Sequence, residues 1–223
     1  MPPQNRTRFA TILAIAMHLA GAMGIIFGLD GLFAKLTPFN LLTMFGLLIW
    51  TLPGKTSRVL LFFLVASVTG LACEMIGVQT GALFGNYAYS DILGWKVRGV
   101  PVLIGINWFI VVYASGMLAL QLRHLIAVHI PFPGKAIYSK WIGLSVIIDG
   151  ALIATIFDWV MEPAAVKLGF WSWDGGHIPM LNYLTWFLVS MLILFLFSRL
   201  KLKPHQFAVN LLLIQAAFFL MVR

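Results

Sequence analysis

The chain has 223 residues, of which 61% are hydrophobic and 10% charged, with a mean hydropathy of +0.96, whereas soluble domains carry about 25% charged residues. Those values exclude a soluble globular protein, and apolar runs of roughly 20 residues without strict alternation exclude a β-barrel, so an all-α polytopic membrane protein is expected. The formal charge of +8 does not call for a nucleic-acid partner, because the basic residues sit in short loops between apolar runs, where they set topology.

Arg6 and Arg8 precede the first apolar run, from about Phe9 to Phe27. Ala20-Gly21-Ala22 resembles a signal-peptide cleavage site, but the run is longer than a usual signal core and an uncleaved first helix is expected. The second span is placed between Pro38 and Pro53, only just long enough to cross. The third runs from about Arg58 to Gly77, the fourth from Val100 to Gln121 and the fifth from Lys140 to Val160. A sixth from about Leu181 to Phe197 and a seventh from Phe207 to Val222 complete a seven-helix bundle. With no internal repeat, low-complexity tract or linker, residues 1–223 read as one integral membrane domain in contact with the lipid bilayer. Ten of the fifteen Lys and Arg residues fall on the N-terminal side of this layout: Arg6, Arg8, Lys55, Arg58, Arg123, Lys135, Lys140, Arg199, Lys201 and Lys203. Cytoplasmic loops are enriched in these residues, which puts the N-terminus in the cytoplasm and the C-terminus outside the cell (inner) membrane.

The acids sort more sharply than the bases. Asp30, Glu74, Asp91, Asp158, Glu162 and Asp174 lie at or near the non-cytoplasmic ends, and Asp149 alone is mid-helix. Acids contribute little to topology, so this asymmetry needs another cause. An ionisable side chain in a membrane helix is costly and by default suggests a function. Glu74 and Asp158 each lie about one turn from the outer end of their helix, at similar depth, and desolvation there favours the protonated form that suits a general acid. The competing structural reading, which we rank below a functional one, bonds each to a neighbouring helix or to Arg98. Asp158 and Glu162 are spaced i, i+4 and would share a helix face, but Pro163 biases Glu162 away from helical angles and toward a loop entrance. A DxxxE pair also resembles a magnesium-diphosphate motif, yet a diphosphate needs more carboxylates and a cationic partner. Cys73, the single cysteine, allows no internal disulfide and no Cys-based metal site, and the five His residues lack ligand spacing, so no metal is expected.

Aromatic residues gather at the same level. Tyr87, Tyr89, Trp95, Phe170, Trp171 and Trp173 fall in the two outer loops, with Trp108 and Trp186 a short way inside the fourth and sixth helices. Any one of them is accounted for as an interfacial anchor; together they suit a lipophilic pocket whose ring faces stabilise a cation. Asn182 and Trp186, at i, i+4, share a face, where the amide either holds water or a substrate hydroxyl or makes an interhelical hydrogen bond.

These residues resemble a known pattern. Glu74, Thr80-Gly81, Phe84-Gly85-Asn86-Tyr87-Ala88-Tyr89, Leu93-Gly94, Gly99-Val100-Pro101 and Trp108 form its first half. Asp158, Glu162-Pro163, Gly169-Phe170-Trp171-Ser172-Trp173 and Ile178-Pro179 through Asn182 to Trp186 form the second. The pattern is similar to that of the CruF-type carotenoid 1′,2′-hydratases, the group that includes the bisanhydrobacterioruberin hydratases, over about residues 70–190. Two departures are Ala82-Leu83, where a proline is expected before Phe-Gly, and Glu162, where an Asp is expected before the proline. The resemblance implies cofactor-independent addition of water to the terminal double bond of an acyclic carotenoid such as lycopene, a lipophilic substrate drawn from the bilayer, and it allows other carotenoid enzymes as partners. It also implies Glu74 or Asp158 as proton donor, the other orienting water, with Glu162, Asn182 and the aromatic residues in support.

Three competing readings share these residues. A lycopene-type cyclase protonates the same end but lets an internal double bond capture the cation. A non-catalytic pigment- or lipid-binding protein uses the acids structurally. A transporter uses them as a proton relay, with Asp149 as the one step across.

Overall fold

The computed structural model describes residues 1–54, 56–129 and 135–223. Among these lie seven α-helices: α1 (Pro3–Ile26), α2 (Asp30–Trp50), α3 (Thr56–Thr80), α4 (Leu103–His129), α5 (Lys135–Lys167), α6 (Met180–Leu200) and α7 (Gln206–Val222). Four short strands, β1 (Tyr87–Tyr89), β2 (Lys96–Val97), β3 (Val100–Pro101) and β4 (Trp171–Trp173), lie in the connections. Six helices are long and apolar enough to cross a membrane, and α7 is shorter at 17 residues. The chain is an all-α polytopic membrane protein.

Two helices run past the prolines that were expected to bound them. The second span starts not at Pro38 but at Asp30, whose carboxylate sits in the first turn, where the helix dipole favours negative charge. Pro38 is accommodated inside α2, as prolines are in apolar helices whose neighbours take up the freed backbone group. The fifth helix, expected to end at Val160, continues through Pro163 to Lys167. Packing overrides the bias of the residue before proline: Ala164, Ala165 and Leu168, just beyond it, are all buried. Glu162 therefore stands in the helix, not at a loop entrance, and shares a face with Asp158. The fourth helix begins at Leu103, later than expected, because Val100-Pro101 pairs with Lys96-Val97 as a short hairpin.

The centre of the bundle is α4, which packs against α2, α3, α5, α6 and α7. Every residue from Trp108 to Met117 is buried, a helix surrounded on all sides. Where everything is apolar the hydrophobic effect does not select partners, and close packing of small residues takes over. Accordingly a methyl placed on Gly150 of α5 would meet the Gly116 backbone of α4 at 3.4 Å. Further along the same pair of helices, Arg123 donates to Asp149 Oδ2 through Nε at 2.9 Å and Nη2 at 2.5 Å, and the Ser145 hydroxyl donates to the same oxygen. Asp149 thus ties α4 to α5, and the proton step across the membrane that a relay would require is engaged in an ion pair.

Candidate active site

Two three-residue strands close the end of the bundle where the acids gather. β1 and β4 pair antiparallel with Tyr87 opposite Trp173, Ala88 opposite Ser172 and Tyr89 opposite Trp171. Successive side chains of a strand point to opposite faces, so Ala88 and Ser172 are exposed while Tyr87, Trp171 and Trp173 are buried and Tyr89 is half-buried. The four rings form one aromatic face over the helices, Tyr87 lying 4.9 Å from Trp173 between ring centroids and Tyr89 5.6 Å from Trp171.

The polar edges of those rings meet two carboxylates. Tyr87 and Tyr89 donate to Glu74 Oε2, the latter at 2.9 Å, and Trp108 Nε1 donates to Glu74 Oε1 at 2.9 Å. Burial, and then the neighbouring Glu74 carboxylate, push both tyrosine hydroxyls well above the ordinary phenol range, so they remain O–H donors. Trp171 and Trp173 donate their indole N–H groups to Glu162 Oε2 at 3.0 and 2.9 Å. Asp158, 1% exposed, differs from both. Its Oδ2 accepts from Asn182 Nδ2 at 2.7 Å, and its Oδ1 is buried with no hydrogen-bond partner among the described residues.

Behind these groups Trp108 and Trp186 stack face to face, 3.8 Å between centroids and 6° between planes. Gly70 makes that stack possible, since a methyl there would lie 2.3 Å from Trp108 Cγ. Gly70→Ala is expected to displace the indole from Glu74 and Trp186 at an overpacking cost of about 1–3 kcal/mol; thermal unfolding followed by tryptophan fluorescence checks it.

Two cavities meet here. One of about 20 Å³, room for roughly one water, is lined by Glu74, Asp158, Glu162 and Asn182 with the surrounding aromatic rings. The other, about 340 Å³ and mainly apolar, runs between α1, α2, α4, α5 and α7. Leu36 and Phe39 in its wall are 45% and 65% exposed on α2, so it reaches the flank of the bundle that would face lipid. Ile104, Asn107, Met161 and Trp171 line both cavities. Met161 and Ala165 follow Asp158 along one stripe of α5, and Leu168 lies just past its end, leading from the acids into the apolar cavity.

All ten expected site residues, Glu74, Asp158, Glu162, Asn182, Tyr87, Tyr89, Trp108, Trp171, Trp173 and Trp186, line the small cavity. Trp95, grouped with them by sequence, is 77% exposed and lies apart, while Phe170 lines the apolar cavity instead. Arg98 is not the partner of either acid, and Asn182 is committed to Asp158. Asn107 was missed. The residue lines both cavities, and its amide has no hydrogen-bond partner among the described residues. The only sequence signal was an amide beside Trp108 in an apolar helix.

The family described as carotenoid biosynthesis protein matches residues 37–222. The bisanhydrobacterioruberin hydratase of Haloarcula japonica is 27% identical over 203 residues, covering 83% of this chain; the chain spans about 63% of the length of that curated relative. No solved structure matches. With the family matched over most of its length, the chain belongs to the carotenoid biosynthesis proteins.

Proposed function

We propose that this chain adds water to the terminal double bond of an acyclic carotenoid end group, with Asp158 as proton donor. The observation that carries the reading is the unpartnered Asp158 Oδ1 in a cavity the size of one water, sharing a wall with an apolar cavity suited to a polyene end.

The hydrogen-bond inventory separates the three acids. A carboxylate with three donors, as at Glu74, or two indole donors on one oxygen, as at Glu162, is served as an anion. Asp158 alone of the three presents a buried carboxyl oxygen with no partner among the described residues, and that is the place for a proton. Asp158 then gives that proton to the less substituted alkene carbon: the π pair forms the new C–H bond, the O–H bond breaks, and a tertiary cation remains beside the Asp158 carboxylate. The ionised Glu74 and Glu162 and the stacked faces of Trp108 and Trp186 stabilise that cation. Water held by Asn107 supplies the electron pair for the C–O bond, and its surplus proton returns to Asp158. No net proton is consumed.

A cyclase would exclude water from the cation, whereas here the amide and the small polar cavity lie on the path between hydrocarbon and acid. The Lys and Arg excess supports a cytoplasmic N-terminus, with the acids at the opposite end of the bundle.

The test is incubation of membranes containing the protein with lycopene in ¹⁸O-labelled water. The expected product gains one labelled water per end and keeps its visible spectrum. A product of unchanged mass with altered spectral fine structure would replace this reading with cyclisation.

A further inference from the structure

A third cavity, of about 470 Å³, lies at the opposite end of the bundle from the carboxylates, and the proposed chemistry makes no use of it. Its walls come from the α2–α3 connection (Leu52, Pro53, Gly54), the start of α3 (Arg58, Val59), Tyr113 of α4 and the α6–α7 connection (Lys201, Leu202, Lys203). Three cations line it, and no carboxylate does among the described residues.

Each cation is placed, and none is paired with an acid among the described residues. Arg58 Nη1 donates to the Leu200 carbonyl at 3.1 Å, which anchors the guanidinium at the end of α6 and leaves its other N–H groups without acceptors among the described residues. The Lys203 stem passes close to Gly54, where a methyl would meet its Cδ at 3.2 Å. Lys201 stands at the left-handed turn that ends α6, with φ 47°. Neither lysine has a hydrogen-bond or ion-pair partner among the described residues.

Behind Tyr113, the group of that wall bonded to His205, no compensating charge is supplied. Thr51 uses its hydroxyl proton on the Leu47 carbonyl at 2.7 Å, so its oxygen accepts from His205 Nε2 at 3.0 Å. That tautomer leaves Nδ1 to accept from the Tyr113 hydroxyl at 3.2 Å. Burial pushes His205 down to about 4, so the ring stays neutral at neutral pH.

Basic residues that merely set topology need no shared cavity. Three like charges facing one space repel unless an anion joins them, and the arginine fork matches phosphate oxygens in two-point contact. Leu52, Pro53, Val59 and Leu202 make the rest of the wall apolar, which suits a phosphate carried by an amphiphile. We propose that this cavity binds a phosphate group, presented by the headgroup of an anionic phospholipid.

Thermal unfolding of the full chain in detergent tests it, with dioleoylphosphatidylglycerol, dioleoylphosphatidylcholine and inorganic phosphate as separate additions. The phosphatidylglycerol is expected to raise the unfolding temperature by about 5 °C, the zwitterionic lipid to leave it unchanged, and Arg58→Gln with Lys203→Gln to remove most of the rise. A rise with inorganic phosphate alone would keep the phosphate site and change its source to a free anion. Lys203→Gln by itself, at an exposed side chain, reads the same loss if the double variant does not fold. Arg8→Gln, outside the cavity at the same end, is expected to keep the full rise. No rise with either phosphate, an equal rise in the cavity variants, or an equal loss in Arg8→Gln would overturn the proposal in favour of general surface attraction.

Discussion

Asp158→Asn is expected to lower the rate of hydrated product formation by about 10²–10⁴-fold, the usual contribution of a positioned general acid. The change keeps the size and shape of the side chain and removes only the proton that reaches the alkene. Asn182 still meets an oxygen at position 158 if the new amide turns its carbonyl toward Nδ2, so the unfolding temperature is expected to stay within a few degrees of the parent. In heavy water the recovered substrate should contain no deuterium, because no cation forms. Glu74→Gln makes a poorer test. It replaces an acceptor oxygen facing Tyr87, Tyr89 and Trp108 with an amide nitrogen, leaving donor against donor in a buried site at a cost of about 1–3 kcal/mol. A loss of activity there would be a loss of fold as much as of chemistry. Near-parental hydration by Asp158→Asn would move the proton to Glu162 or Glu74.

The parts of this site that were legible in sequence are those for which the membrane leaves no neutral explanation. Glu74 and Asp158 stand out because an acid in an apolar helix is expensive, and Trp108, Asn182 and Trp186 follow from helical spacing to the same level. The ribbon over them was hidden. Tyr-Ala-Tyr and Trp-Ser-Trp each alternate over three residues, too short a window for period-two patterning to be distinguished from a loop, and Tyr87 and Trp173 become neighbours only once α4 and α5 have packed. Hence the residues were named as pocket lining, while their division between Glu74 and Glu162 was not. Pro163 misled for a related reason. Its effect on the preceding residue is a local bias, and the burial of Ala164, Ala165 and Leu168 outweighs it. The first two helices were read only as membrane spans, because apolar composition looks the same toward lipid and toward a cavity; in the structure they carry one wall of the space beside the acids.

Asn107→Leu is expected to separate the two halves of the reaction. Leucine keeps the branched shape and heavy-atom count of asparagine and has no polar atoms, so the water loses its holder at the residue that lines both cavities. Hydrated product should fall by about 10²-fold, the scale on which a single positioned hydrogen bond acts in a water-excluded site. Proton transfer does not pass through Asn107, and the cation should still form. Without water in place it collapses by returning a proton to the Asp158 carboxylate from a carbon next to the cationic centre, the C–H pair re-forming the double bond. In heavy water the first step delivers deuterium and the collapse releases protium, so the recovered carotenoid becomes deuterated without gaining oxygen. The parent enzyme places deuterium mainly in the hydrated product. This readout does not follow from general damage to the helix, which would suppress exchange and hydration together, and such joint loss would remove Asn107 from the water-capture step. Hydration at the parental rate would place the water on another group.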